Sequence, residues 1–219
     1  MGTRLTSLDS GFFVAAPSYW AQACRHLSAK DRVMKKLILA HPCMSLQSRG
    51  DAFATLARSI VGQQISVKAA QSVWLRVLAL VGEATPAAML VPTTEDMRAA
   101  GLSARKVEYL RSLATEFANG PLRDCDWATA SDENIIEQLV SVRGVGRWTA
   151  EMFLIFYLHR PNVLPMDDAG LVNGISRAYY SGEPVSRSDV RELARAWSPF
   201  STVATWYIWR SLEAEPVMH

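Results

Sequence analysis

The sequence predicts an all-α protein. Apolar residues recur at three- and four-residue spacing along most of its 219 residues, and no stretch shows the period-2 alternation of a half-buried strand. Serine, threonine and aspartate stand ahead of the periodic stretches, with glycine or proline behind them. At 49% hydrophobic the chain can bury a sizeable core. About ten helices are expected, with no long linker and no internal repeat.

In order, Ser28 is placed as the cap of a helix through Ala40, stopped by Pro42. Phe53, Leu56, Ile60 and Val61 mark a helix over Ala52 to Gln64. Ser66 caps a helix carrying Val67, Val73, Trp74 and Val77 that ends near Gly82. Thr94 starts a short helix closed by Gly101. Ser103 opens one with Val107, Leu110, Leu113 and Phe117 on one face. Ser131 opens another, with Ile135, Ile136 and Leu139 inward, interrupted at Gly144-Val145-Gly146. Helix resumes from Arg147 to His159. Asp167 and Asp168 stand where a further helix begins after Pro161 and Pro165. Ser188 to Ala196 and Pro199 to Leu212 complete the set, with Pro199 placed in a first turn.

Composition excludes several classes. Lys plus Arg is 23 and Asp plus Glu is 21, so the charge is +2 and any nucleic-acid binding must be local and geometric. Cys24, Cys43 and Cys125 are an odd set with no close pair, against a disulfide framework or a four-cysteine cluster site, and a reducing compartment is expected. His26, His41, His159 and His219 lack metal-ligand spacing. The longest apolar runs, such as Met152 to Leu158, fall far short of the ~20 residues of a membrane span. No signal peptide is expected, because Asp9 and Pro17 break the N-terminal apolar stretch. Met1 to Thr6 formally fits a myristoylation pattern short enough to arise by chance.

The most informative stretch is Val142-Arg-Gly-Val-Gly-Arg-Trp-Thr-Ala150. Two glycines one residue apart permit a tight turn and close approach of another molecule to the backbone. The helix beginning just after them offers free N–H groups as an anion site, for which a DNA phosphate is a natural occupant. A plain helix–helix turn would use the same glycines. A dinucleotide fingerprint fails, since a helix precedes the turn and the third glycine is missing.

This stretch, with Leu164-Pro-Met-Asp-Asp168, resembles the helix–hairpin–helix and Gly/Pro–Asp loop of a DNA glycosylase superfamily, and within it the 3-methyladenine DNA glycosylase II branch. Ser59-Ile-Val-Gly-Gln-Gln-Ile-Ser66, Gly101-Leu-Ser-Ala-Arg-Lys106 and Trp197-Ser-Pro199 through Trp209 resemble further motifs of that branch in the same order. The likeness runs over roughly residues 20 to 212. It implies one domain over 1–219 with two lobes and a cleft between them. One lobe spans roughly 64–165, and the N- and C-terminal segments form the other. An extra β-rich N-terminal domain found in some members is not expected.

The resemblance implies base excision: a nucleotide is flipped from duplex DNA and its N-glycosidic bond hydrolysed, leaving an abasic site. Asp168 takes the catalytic position, and Asp167 is a cap or helper. Gln64 takes the wedge position, where some relatives carry Leu; a surface glutamine is the plain alternative. Trp148, Met152 and Trp209 take pocket positions. Of the four late tryptophans, Trp197 and Trp206 are as readily core. An indole face suits a cationic, electron-poor alkylpurine at ~0.5–2 kcal/mol. Met152 stands where a close relative carries Tyr and Ser201 where one carries Arg, which points to a wider or less aromatic pocket. Gly144, Gly146, Arg147 and Thr149 are the expected DNA grip. The carbonyls of Val140, Val142 and Val145 are the expected seat of a Na+ or K+ ion, and no other cofactor is required.

Relatives with lyase activity, such as endonuclease III, carry Lys where Trp148 stands, and an amine is needed for a Schiff base. A monofunctional enzyme is therefore expected, acting as a monomer on double-stranded DNA with alkylated bases, in the cytoplasm or nucleoid of a bacterium or the nucleus of a eukaryote. A non-catalytic lesion-binding protein, and a glycosylase for another base such as hypoxanthine or uracil, are the alternatives.

Overall fold

The computed structural model describes residues 16–42, 44–47 and 51–212. The myristoylation pattern, Cys43 and His219 lie outside them. Among the described residues there are twelve helices and no strand. They are α1 (Trp20–Lys30), α2 (Arg32–Ala40), α3 (Ala52–Gly62), α4 (Val67–Val81), α5 (Pro86–Leu90) and α6 (Thr94–Ala99). The chain continues with α7 (Ala104–Asn119), α8 (Asp132–Val140), α9 (Arg147–Phe156), α10 (Ala169–Tyr179), α11 (Arg187–Ala194) and α12 (Ser201–Arg210).

Ser66, Ser103 and Ser131 cap α4, α7 and α8 as expected, each hydroxyl accepting a backbone N–H of the first turn. Other boundaries move. Ser28 lies inside α1, and the cap of α2 is Asp31, whose Oδ1 accepts the Val33 and Met34 amides. Thr93 caps α6 through a reciprocal bond with Asp96, and Ser186 caps α11 in the same way with Asp189. The five-residue α5 was not expected; it starts with Pro86 behind the Thr85 cap and is too short to show a period. α9 stops at Phe156 instead of His159, which has φ +52°. Pro199 lies ahead of α12, whose cap position is Phe200.

The helices α3 to α9 pack among themselves, and so do α1, α2, α10 and α12. α3 packs on α4, α7 and α9, so the first of these groups begins near Ala52, ahead of the expected boundary at 64. In α9 every residue from Thr149 to Phe156 is buried, and in α12 every residue from Ser201 to Ile208. Such all-round burial marks both as interior helices, and α12 packs on each of the other three in its group. Asp31 fastens the second group: its Oδ2 accepts the Tyr179 hydroxyl at 2.6 Å and the indole N–H of Trp197, fully buried, at 3.2 Å. Among the described residues, no helix is long and apolar enough to cross a membrane.

Candidate active site

Asp168 is the N-cap of α10, with Oδ1 accepting the Leu171 amide at 2.6 Å. The same oxygen accepts the indole N–H of Trp209 at 2.8 Å, and Oδ2 accepts that of Trp148 at 2.8 Å. The carboxylate is thus held by three donors from three helices. Gly170 makes room for this: a Cβ there would lie 3.1 Å from Asp168 Oδ1 and 3.4 Å from the Trp209 ring. Asp167, one residue earlier, turns away and pairs with Arg187.

Asp168, Trp148 and Trp209 line a cleft of about 630 Å³, within the usual range for a small-ligand site. Met152 and Phe156 follow Trp148 along the same face of α9 and line it too. Phe156 stacks on Trp209, with ring centroids 5.8 Å apart and planes at 12°. Arg58 and Arg210 also line the cleft. Arg58 donates to Gln71 at 2.6 Å, and Arg210 lies over the Trp206 ring at 5.3 Å. Gln64 lines the cleft from the loop between α3 and α4, where it is exposed at φ +59°. Ile65 and Val67 beside it are exposed as well.

Gln64 also borders a second cavity, of about 450 Å³, between this loop, the start of α7 and the turn joining α8 to α9. In that turn Gly144 has φ +89°, and a Cβ on it would fall 2.1 Å from the Tyr109 ring. Only glycine fits both the backbone and the contact. Gly146 is the cap residue of α9, and a Cβ there would meet nothing within 4 Å, so its backbone faces open space.

The glycine hairpin between α8 and the buried α9 thus lies beside a cleft whose carboxylate is held by two indoles. Residues 57–199 match the family model described as HhH-GPD superfamily base excision DNA repair protein. The chain belongs to that superfamily. It is 32% identical to DNA-3-methyladenine glycosylase 1 of Schizosaccharomyces pombe over 85% of each chain. Among solved structures it is similar to the 3-methyladenine DNA glycosylase of the same yeast in complex with abasic DNA. That match has 31% identity and a TM-score of 0.79, covering 89% of this chain and 98% of that one. It is also similar to a DNA-3-methyladenine glycosidase from Bacillus halodurans, at 34% identity and a TM-score of 0.73, covering 86% and 88%.

In this HhH-GPD protein the expected grip residues divide. Gly144 and Gly146 shape the hairpin. The guanidinium of Arg147 is held by Glu133, at 2.8 and 3.0 Å, and by Glu151 at 3.2 Å, so it ties α8 to α9 and does not stand as a lone cation for phosphate. Burial raises the Glu151 carboxyl above its ordinary range, and the Arg147 charge pulls it partly back. Thr149 is only 2% exposed and its hydroxyl accepts from Gln63 at 3.2 Å, which removes it from the DNA-facing set. Ser201 is buried at the start of α12 and donates to Asn162 at 2.7 Å; it does not line the cleft, so its identity does not widen the pocket.

Trp197 is core, whereas Trp206 lines the cleft edge while packing on Trp20. Val142 and Val145 are buried, Val140 is partly exposed, and the Val142 carbonyl accepts the Val145 amide at 3.0 Å, keeping one lone pair. Carbonyl oxygens are the donor type that a hard cation takes. The site residues not foreseen include Arg58, Gln63, Phe156 and Arg210. Phe156 was legible as two turns beyond Trp148 on one helix face. Gln63 had only its place beside Gln64.

Proposed function

We propose that the protein is a monofunctional DNA glycosylase that hydrolyses the N-glycosidic bond of alkylated purines of the 3-methyladenine type. The observation that carries this reading is the Asp168 carboxylate fixed between the Trp148 and Trp209 indoles in an aromatic cleft. The family and the relatives named above support the substrate class.

The base would be flipped into the cleft while Gln64 fills the gap it leaves. An N-alkylated purine is cationic and stacks favourably on indole. Breaking its C1′–N bond releases a neutral base, so no strong general acid is needed, and positive charge builds on the sugar. A fixed carboxylate stabilises that charge and orients the attacking water. Water then adds at C1′ and loses a proton, leaving an abasic site. Arg58, on the wall of the cleft, suits a phosphate flanking a flipped nucleotide. Outside the cleft, the amides around Gly146 at the start of α9 suit a further phosphate. A sodium or potassium ion on the carbonyls of Val140, Val142 and Val145 would stiffen that turn, and the hydrolysis itself requires no cofactor. The protein would act as a monomer on double-stranded DNA.

The test is release of bases from methylated duplex DNA, resolved by chromatography. 3-Methyladenine should appear with wild type and vanish with Asp168→Asn. Release of hypoxanthine or uracil instead, from duplexes that carry them, would assign a different base. Tight lesion binding with no release of any base would make the protein a binder only.

A further inference from the structure

The loop that carries Gln64 and the hairpin that offers its backbone to DNA are joined by one side chain. Among the described residues, the hydrogen bonds between them come from Gln63. Its amide nitrogen donates to the Gly144 carbonyl at 3.0 Å and to Thr149 Oγ1 at 3.2 Å. These acceptors lie on either side of the Val145-Gly146 step, so one amide group spans it. Neither acceptor moves easily. Gly144 lies against the Tyr109 ring, and Thr149 is buried in the first turn of α9. Gln63 is also where α3 ends, and the next residue, Gln64, takes a left-handed conformation that a non-glycine residue keeps only when its surroundings impose it. The other side of the helix end is fastened by Lys106, whose ammonium donates to the Val61 carbonyl at 2.8 Å.

We infer that Gln63 is a positioning residue that sets the wedge Gln64 in register with the hairpin's hold on DNA. This rests on the base-flipping reading above. A wedge and a phosphate grip act on one duplex at the same time, so the distance between them must match the spacing of the nucleotide steps they touch. A loop free to drift would have to be ordered during insertion, and the cost would fall on base extrusion. Gln63 removes that cost beforehand, touching neither the base nor the reacting bond.

The test uses Gln63→Leu, which fills similar space without donors, and Gln63→Glu, which cannot donate to the Gly144 carbonyl. Circular dichroism and melting temperature establish folding, and if Leu fails to fold the Glu variant is read alone. Single-turnover excision from a lesion duplex should fall on the order of ten- to hundred-fold, as the loss of two hydrogen bonds allows. Affinity for undamaged duplex should stay within about threefold, because the hairpin contact itself remains. The deciding measurement is the double variant with Gln64→Ala. If Gln63 acts through Gln64, adding Gln63→Leu to Gln64→Ala should cost less than about twofold. Multiplying losses in the double variant, or an equal loss on lesions in single strands, would overturn the inference and leave Gln63 a fold residue. A 2-aminopurine reporter beside an abasic analogue reads flipping without chemistry, so the same cycle is measured by fluorescence. Failure of wild type to release any base would count against the proposed reaction, and an unchanged flipping signal in Gln63→Leu against this coupling.

Discussion

Asp168 caps α10 with one oxygen and accepts an indole N–H on each, so its carboxylate has no freedom to rotate. Asn in its place keeps one acceptor but turns an NH2 toward an indole donor. A stability loss of about 1–2 kcal/mol is expected. The loss of charge matters more. Removing one electrostatic stabiliser of ~3–4 kcal/mol lowers single-turnover excision by roughly a hundred- to thousand-fold, with duplex binding largely intact. Asp167→Asn should stay within about threefold, since its side chain pairs with Arg187 outside the cleft. A dead Asp167→Asn beside an active Asp168→Asn would reverse the assignment. At Trp148 the indole contributes a donor to Asp168 and no nucleophilic amine. Incubation with a lesion duplex and borohydride should therefore trap no covalent adduct, and strand scission should need alkali. An adduct would make the enzyme a lyase.

Each element around the cleft combines a framework requirement with an exposed one, and the hairpin separates the two most cleanly. Gly144→Ala forces a Cβ into the Tyr109 ring at a positive φ and should destabilise the fold by roughly 1–3 kcal/mol, read by urea unfolding. Gly146→Glu meets open space and should leave stability within about 1 kcal/mol. Its negative charge beside the expected phosphate should weaken binding to damaged and undamaged duplexes alike. Unchanged affinity in that variant would remove the hairpin from the DNA interface.

In the wedge loop, Gln64→Ala should slow excision from a duplex more than from a flexible single strand, because a stacking gap exists only in the former. Equal effects would return Gln64 to the solvent-facing role that its exposure also allows. The sequence made these elements legible to different degrees. Ser66, Ser103 and Ser131 announced their helices because a cap is a local interaction. Gln64 and the glycines were readable from local turn chemistry and motif resemblance. Gln63, Thr149 and the second role of Asp31 were not, because they lie in partners far along the chain, 166 residues away in the case of Asp31 and Trp197. Arg147 looked like a phosphate ligand for the same reason: Glu133, which holds it, lies 14 residues upstream on another helix.

At the scale of the whole molecule, Asp168 joins the two groups of helices: it begins α10 in one and accepts from Trp148 on α9 in the other, and from Trp209 on α12. The cleft therefore depends on how the groups are held together, and a second tie lies near His159. Tyr19, at the entry to α1, donates to the His159 carbonyl at 2.8 Å just past the end of α9, and stacks on Phe200 ahead of α12. The imidazole Nε2 of His159 is buried with no hydrogen-bond partner among the described residues, and burial lowers the pKa below its ordinary value. The folded state thus favours the neutral ring, while the unfolded chain binds a proton once pH drops below about 6.5. Stability from this source is complete above that value and is lost as pH falls through it toward the lower folded value. Glu151 acts in the opposite sense: burial favours its neutral form, so its contribution grows as pH falls toward the ordinary glutamate range. His159→Asn separates the two. Asn tolerates the φ of +52° at this position and does not titrate. Urea unfolding at pH 7.5 should place the variant within about 1 kcal/mol of wild type. Between pH 7 and 5 the wild type should lose more stability than the variant. Identical pH profiles would show that His159 takes up its proton equally in the folded and unfolded states and carries no charge penalty in the fold.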